Sequence, residues 1–337
     1  MKKIDKNKIF EKNILALSKD HYRKSVEYKK VVDFLYSKKF DKLENIPFLP
    51  VNLFKHLDLK SIPDKSIFKI LNSSGTSGSV SKIYLDRKNA EDQTKALNSI
   101  MSKLLGKERL PMLILDKKPE LKNKNNFNAK IAAIIGFSIF GKNHHYLLNE
   151  KKQIDYKELN NFLENFGNKK FLIFGFTFNV YQNLIEKLDH KKINKNFNNG
   201  ILLHGGGWKK MENKKIDNKT FKKKLIEKLG FSKIINYYGL IEQTGSIFLE
   251  CEKCGYFYSS EYSEVIIRGK NLEILPERKK GFIQLSSILP TSYPGPSILT
   301  EDIGIIIKNN CDLCVNKKNF LVLGRAEQSE IRGCSDT

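Results

Sequence analysis

An α/β fold with a β-rich subdomain towards its C-terminal end is predicted by three observations. Strand-like runs (SIFKIL, PMLILD, KKFLIFGF, GILLH, KIINYYG) alternate with helical ones (NAEDQTKALNSIMSKLL, FNVYQNLIEKLD, DNKTFKKKLIEKLG), which is the pattern of a largely parallel sheet. After about residue 245 the pattern changes to short strands separated by turns: SIFLE, SEVIIRG, LEILP, GFIQLSS, IGIIIK and FLVLG. The chain of 337 residues is long enough to bury a large core, as one large domain with appendages or as two domains.

Taken in order, residues 1–45 carry Phe, Leu, Tyr and Val at helical spacing among charges, predicting an N-terminal segment of two or three helices. A proline-punctuated extended stretch, IPFLPVNLFKHLDLKSIP, leads into the α/β core, residues 46–245. The β-rich subdomain occupies 246–323 and a short tail 324–337, with no internal repeat anywhere. No run approaches the roughly 18 apolar residues of a membrane span. The opening MKKIDKNKIFEKN is charged and has no secretory signal, which predicts a cytosolic protein.

The charge is strongly basic, 60 Lys and Arg against 37 Asp and Glu, a net +23. A nucleic-acid footprint is one reading of that excess. The lysines, however, run along the whole chain with asparagines, as in DHKKINKNFNNG, so a solvated surface is favoured over a nucleic-acid partner.

Between the apparent strands 66–71 and 82–86 lies LNSSGTSGSVSKIY, residues 71–84. Gly75 and Gly78 permit tight turns, and Ser73, Ser74, Thr76 and Ser77 offer donors to phosphate oxygens. It is not a Walker A loop, because Gly78 is followed by Ser79, Val80 and Ser81 and not by Lys-[Ser/Thr]. Alone, it reads equally well as an ordinary Gly/Ser hairpin turn.

Other segments in the same order make this loop resemble the phosphate loop of the adenylate-forming enzymes, the superfamily of acyl-CoA synthetases. LLHGGGW, with Gly205, Gly206 and Gly207, matches their glycine-rich strand end beside adenine; NYYGLIEQTG matches their Tyr-Gly-x-Thr-Glu motif. The resemblance implies Tyr238 and Gly239 at the nucleotide and Glu242 as a magnesium ligand, with Ile241 standing where threonine is usual. It also implies Asp302 of LTEDIG at the ribose hydroxyls, Arg325 of LGRAEQSEIRG in the hinge motif, and Lys82 near phosphate, one position later than in the general loop. Within the superfamily, IPFLPVNLFK, SSGTSG with SKIYLD, YGLIEQTGS and the terminal RGCS resemble the LuxE-type acyl-protein synthetases.

That resemblance implies an adenylate-forming enzyme large domain whose usual C-terminal domain is absent or vestigial. The implied reaction converts a carboxylic acid, a fatty acid in this family, and ATP to an acyl-adenylate, with magnesium as cofactor. Loop amides, Lys82 and a magnesium at Glu242 would screen the approaching anions. The acyl group would pass to Cys334 as a thioester and then to a partner, an acyl reductase or another acyl-accepting protein. FGFTFNVY places Phe176 and Phe178 where relatives line the acyl pocket, though both also suit a plain core. Two other functions fit parts of the sequence: a phenylacetate-CoA-ligase-like enzyme using free CoA, and a non-catalytic zinc-containing binding protein.

Of the five cysteines, Cys251 and Cys254 form CEKCG, and Cys311 and Cys314 form CDLC. Two C-x-x-C units supply four thiolates for a structural zinc, and in a cytosolic protein metal is favoured over a disulfide. The long separation predicts that the site ties two strands of the β-rich part together; four reduced core cysteines are the alternative.

Overall fold

The computed structural model describes residues 6–36, 40–73, 80–119 and 129–326. The chain divides into two units, one running through Leu104 and resuming at Gly239, the other Leu105–Tyr238.

The first unit opens with helices α1 (Lys6–Lys24) and α2 (Val26–Leu35). Between them Ser25 breaks the helix and caps α2, its hydroxyl accepting from the Tyr28 amide at 3.4 Å. The proline-punctuated segment supplies β1 (Leu49–Pro50) and the single turn α3 (Leu53–His56). Then β2 (Lys69–Asn72) and β3 (Lys82–Leu85) pair antiparallel, and α4 (Arg87–Leu105) follows. The predicted hydroxyl-rich loop joins β2 to β3.

The second unit is the parallel sheet: β4 (Leu110–Ile114), α5 (Ala129–Ser138), β5 (Gly141–Tyr146), α6 (Tyr156–Phe166), β6 (Phe171–Phe176), the turn α7 (Thr177–Val180), β7 (Gly200–Gly205), α8 (Asn218–Leu229) and β8 (Lys233–Tyr238). The spatial order is β5-β4-β6-β7-β8, every neighbour parallel. β6 and β7 are buried at every position, which is why FLIFGF and GILLH read as unbroken apolar runs. Helix α8 starts at Asp217, whose carboxylate accepts from the Thr220 amide at 3.0 Å, and stops at Gly230 with φ +75°. Phe162, Phe171, Leu202, Phe221 and Leu225 form the centre of its core.

The predicted helix FNVYQNLIEKLD is different in kind: after α7 the chain widens into a π-turn, Tyr181–Lys187. Tyr181, Asn183 and Leu184 of this turn are all buried.

Back in the first unit, β9 (Phe248–Glu250), β10 (Phe257–Tyr258), β11 (Ser263–Arg268), β12 (Gly281–Ser287), β13 (Ser297–Ile307) and β14 (Asn319–Arg325) form an antiparallel array in the order β11-β12-β13-β14-β10-β9. Strand β1 adds to β13 in parallel, Leu49 opposite Ile298. The predicted strand IGIIIK is the second half of β13. LEILP is not a strand: it makes one bridge, Ile274 to Arg268, because Leu272 turns the chain at φ +65° and its carbonyl is bound by Arg268 at 2.7 Å.

Candidate functional site

In the parallel unit, β6, β7 and β8 end level, with Phe176 opposite Gly205 and Gly205 opposite Tyr237. Ligands of such sheets sit beyond the carboxyl ends of the strands. The glycine run has a local cause. A Cβ on Gly205 would lie 2.5 Å from the Tyr237 ring and 2.6 Å from its carbonyl oxygen, Gly206 sits at φ +80°, and a Cβ on Gly207 would meet nothing within 4 Å. The first glycine permits close strand packing, the second the turn, and the third leaves backbone open to approach. Tyr238 at the end of β8 is half-buried, as is Phe178, while Phe176 is buried edge-on to Phe174.

Two features at this end of the sheet carry no sequence motif. Buried Asp116, just after β4, accepts from Lys130 Nζ at 2.8 Å, Asn179 Nδ2 at 3.2 Å and the Lys117 amide at 2.8 Å. His204, fully buried, lies 3.0 Å from Thr177 Oγ1 through Nδ1, and its Nε2 has no partner among the described residues. Burial pushes its pKa down to about 3, so the ring is neutral.

In the other unit, Glu242 lies in the turn Ile241–Gln243 and is buried. Its main chain is fixed from two sides. Tyr293 donates its hydroxyl to the Glu242 carbonyl at 2.9 Å, and Gln243 Nε2 donates to the carbonyls of Gly295 at 2.9 Å and Leu285 at 3.2 Å. Gly245, at φ +84°, leaves a would-be Cβ 2.7 Å from the Gln93 carbonyl oxygen, so the EQTG stretch tolerates only glycine there. Gly239 opens this segment, its would-be Cβ 3.3 Å from Ile247.

Asp302 stands opposite Arg325 in the β13–β14 pair; the guanidinium reaches Asp302 Oδ1 at 3.6 Å and Glu301 Oε2 at 3.8 Å. At the hydroxyl-rich loop the Ser81 amide donates to Ser73 Oγ at 2.8 Å and the Ser73 amide to the Ser81 carbonyl at 3.0 Å, closing the loop at its base. Lys82 is half-exposed, 3.8 Å from Asp58, a surface pair too weak to hold it from an anion. Ser74, Gly75, Thr76, Ser77, Gly78 and Cys334 lie outside the described residues.

The four cysteines come together. Cys251 follows β9, Cys254 lies three residues on, and Cys311 and Cys314 occupy the connection from β13 to β14. All four Sγ atoms lie within 4.8 Å of one another, with Cys251 to Cys311 at 3.7 Å and Cys254 to Cys314 at 3.6 Å. A disulfide would bring sulfurs to about 2.05 Å. Tetrahedral ligands at about 2.3 Å from a zinc ion stand ~3.8 Å apart, close to the Cys251–Cys311 and Cys254–Cys314 distances. Gly255, with φ +74°, turns the first knuckle and donates its amide to the Cys251 carbonyl at 2.9 Å.

These strand ends, the buried EQTG turn and the Asp302 strand are carried by the fold of the adenylate-forming ligases. An open conformation of 2-hydroxyisobutyryl-CoA ligase, solved with 2-HIB-AMP and CoA, matches with a TM-score of 0.72 at 13% identity over 95% of this chain and 75% of that one. ATP-bound MatB from Rhodopseudomonas palustris matches with a TM-score of 0.51 at 13% identity, over 79% of this chain and 49% of that one. The chain belongs to the family of LuxE, the acyl-protein synthetase, whose model it matches over residues 1–337. It is therefore an ATP-dependent ligase. A similar curated protein is a long-chain-fatty-acid–luciferin-component ligase from Aliivibrio fischeri, 27% identical over 301 residues, 85% of this chain and 76% of that protein. Its counterpart from Vibrio harveyi is 22% identical over 308 residues, 87% of this chain and 78% of that protein.

Proposed function

We propose that this protein activates a long-chain fatty acid with ATP as the acyl-adenylate and transfers the acyl group to its own Cys334 as a thioester, for delivery to an acyl reductase or another acyl-accepting protein in the cytosol. The observation that carries the reading is the whole-chain match to the acyl-protein synthetases.

A carboxylate cannot expel oxide, so the acid oxygen attacks the α-phosphorus of ATP and pyrophosphate departs. The residues of this chain would divide the work. The Ser73–Gly78 loop and Lys82 hold the β- and γ-phosphates, the Gly205–Gly207 run and Tyr238 with Gly239 seat the adenine, and Asp302 accepts from the ribose hydroxyls. Arg325 lies in the hinge, and Phe176 and Phe178 belong to the acyl pocket. Glu242, whose backbone is clamped by Tyr293 and Gln243, would hold a magnesium ion that neutralises charge developing on the phosphates. In the second half-reaction the Cys334 thiolate attacks the adenylate carbonyl, forming the C–S bond as AMP leaves. The four-cysteine cluster is read as a structural zinc site, its sulfur spacing being the support.

The test pairs two assays. Acid-dependent ATP/pyrophosphate exchange should be strongest with long saturated acids, and Glu242→Ala should abolish it with the fold intact. Incubation with ATP, magnesium and palmitate should add one acyl mass, removable by hydroxylamine; Cys334→Ser should lose the adduct and keep exchange. Full acylation of the Cys334 variant, or turnover with free CoA in an unmodified wild type, overturns the transfer step.

A further inference from the structure

We infer that the four-cysteine metal site is a register lock for the β13–β14 hairpin, and that it positions Asp302 through that hairpin; the second clause rests on the ribose role proposed above.

Side chains alternate faces along a strand, so a slip of one residue would turn Asp302 to the opposite side of the sheet. Three devices usually prevent such a slip, and each is weak in this hairpin. A tight turn fixes register when the connection is about two to five residues, but β13 and β14 are joined by residues 308–318. Strict alternation of buried and exposed positions fixes register as well. From Asp302 to Ile307 only Gly304 is buried, and on β14 no residue after Phe320 is buried, so neither strand shows a strict alternation of buried and exposed positions there. An unbroken ladder is the third. Here it is bulged, with Ile303 opposite Gly324 and Gly304 opposite Val322, and Asp302 lies beyond the bulge.

On its other side β13 pairs with β12, but that ladder too is bulged, between Phe282 and Gln284, and it does not bear on where β14 starts; what is left for the hairpin itself is its far end. Cys311 and Cys314 hang from the connection, and Cys251 and Cys254 belong to the adjacent β9–β10 connection, so one ion bonded to all four would join two neighbouring loops. That junction reads directly into the ladder. Tyr258 of β10 pairs with Asn319, the first residue of β14, and Phe257 with Phe320. Asn319 in turn donates its side-chain amide to the carbonyls of Cys314 at 3.2 Å and Lys317 at 2.7 Å. Asn309 closes the other side: its side-chain Oδ1 accepts from the Cys311 amide at 2.6 Å, and its Nδ2 faces the Cys254 and Cys314 sulfurs at 3.9 Å each. The metal therefore fixes which residue starts β14. Counting back along the ladder from Asn319 opposite Ile307 to Val322 opposite Gly304, and then across the single extra residue of the bulge on β14, sets Arg325 opposite Asp302.

The experiment compares wild type, Cys311→Ser and Cys254→His by zinc content, peptide-resolved hydrogen exchange and ATP/pyrophosphate exchange. Wild type should carry one zinc per chain. Cys311→Ser should lose it, exchange β13 and β14 amides at least about tenfold faster with β11 and β12 unchanged, and raise the KM for ATP about tenfold with little change in the saturated rate. Cys254→His, which keeps a Cys3His set, should restore all three. If Cys311→Ser fails to fold, Asn309→Ala under graded chelator replaces it, since losing such an outer contact weakens metal binding about 10- to 100-fold. A zinc-free wild type, or zinc loss without faster exchange in β13 and β14, overturns the lock. Faster exchange in a protein with no ATP chemistry would leave the lock standing and remove only the proposed role of Asp302.

Discussion

At the scale of single residues, two buried histidines tie stability to pH. His21 is enclosed between Ser61 Oγ, 2.7 Å from Nδ1, and the Pro290 carbonyl, 2.8 Å from Nε2. A carbonyl only accepts, so Nε2 carries the proton and Nδ1 accepts from the serine hydroxyl. Burial pushes His21 down to about 4 against the help of the Pro290 carbonyl; Asp20 favours the charged ring and Lys24 opposes it. His204, with Lys222 as its charged neighbour, is pushed further, to about 3. In both cases the unfolded chain takes up a proton first, near pH 6.5. Their contribution is therefore complete above that value and is lost as the pH falls towards 4 and 3, at about 1.4 kcal/mol per pH unit for each ring. Urea melts at pH 6.5, 5.5 and 4.5 should show this slope, and His21→Gln should reduce it by about half over that range. An unchanged slope in the variant would mean that His21 does not remain neutral.

At the scale of elements, Arg268 is the joint between the N-terminal segment and the β-rich array. Its guanidinium is buried and spends every arm on a neutral acceptor: Nε donates to Gln284 Oε1, one terminal nitrogen to the Leu272 carbonyl at 2.7 Å, the other to the Glu44 carbonyl at 2.8 Å, while the group lies 4.6 Å over the Phe48 ring. Arg268→Met keeps volume but leaves three buried acceptors unmet, a loss of about 3 kcal/mol by chemical denaturation. Lysine should not rescue it, because one ammonium cannot span that fork of acceptors. Nothing in SEVIIRG marked this arginine, since all its partners lie outside that run: the Leu272 carbonyl four residues on, Gln284 on the next strand and the Glu44 carbonyl 224 residues away. Helix α8 was legible for the opposite reason. Its cap at Asp217 and its stop at Gly230 are local chemistry, written within one turn of each end. The cysteine pairs were legible from their spacing, and the glycine run and the EQTG turn from their resemblance to motifs of the adenylate-forming enzymes; the close approaches at Gly205 and Gly245 show the backbone requirement behind those glycines. The Asp116 cluster and His204 were not, because burial alone distinguishes them from surface polar residues.

On the scale of the whole molecule, charge is divided unequally between the two units. Leu105–Tyr238 holds 27 Lys and Arg against 12 Asp and Glu, so this stretch, well under half the chain, carries most of the net +23. Self-repulsion destabilises a compact unit and is screened once salt shortens the Debye length to about 10 Å near 0.1 M. The four-cysteine site lies in the other unit. Salt and chelator should therefore act on different parts of the molecule. Raising NaCl from 10 to 200 mM should slow amide exchange in β6 and β7 more than in β12 and β13, while a strong zinc chelator should speed exchange in β13 and β14 and leave β6 and β7 as they were. Thermal unfolding at low salt with chelator should then broaden or split, since each unit has lost a different support. Equal responses of both sheets to both agents would show that the units unfold as one cooperative block, and that neither the charge asymmetry nor the proposed zinc at the four cysteines is felt locally.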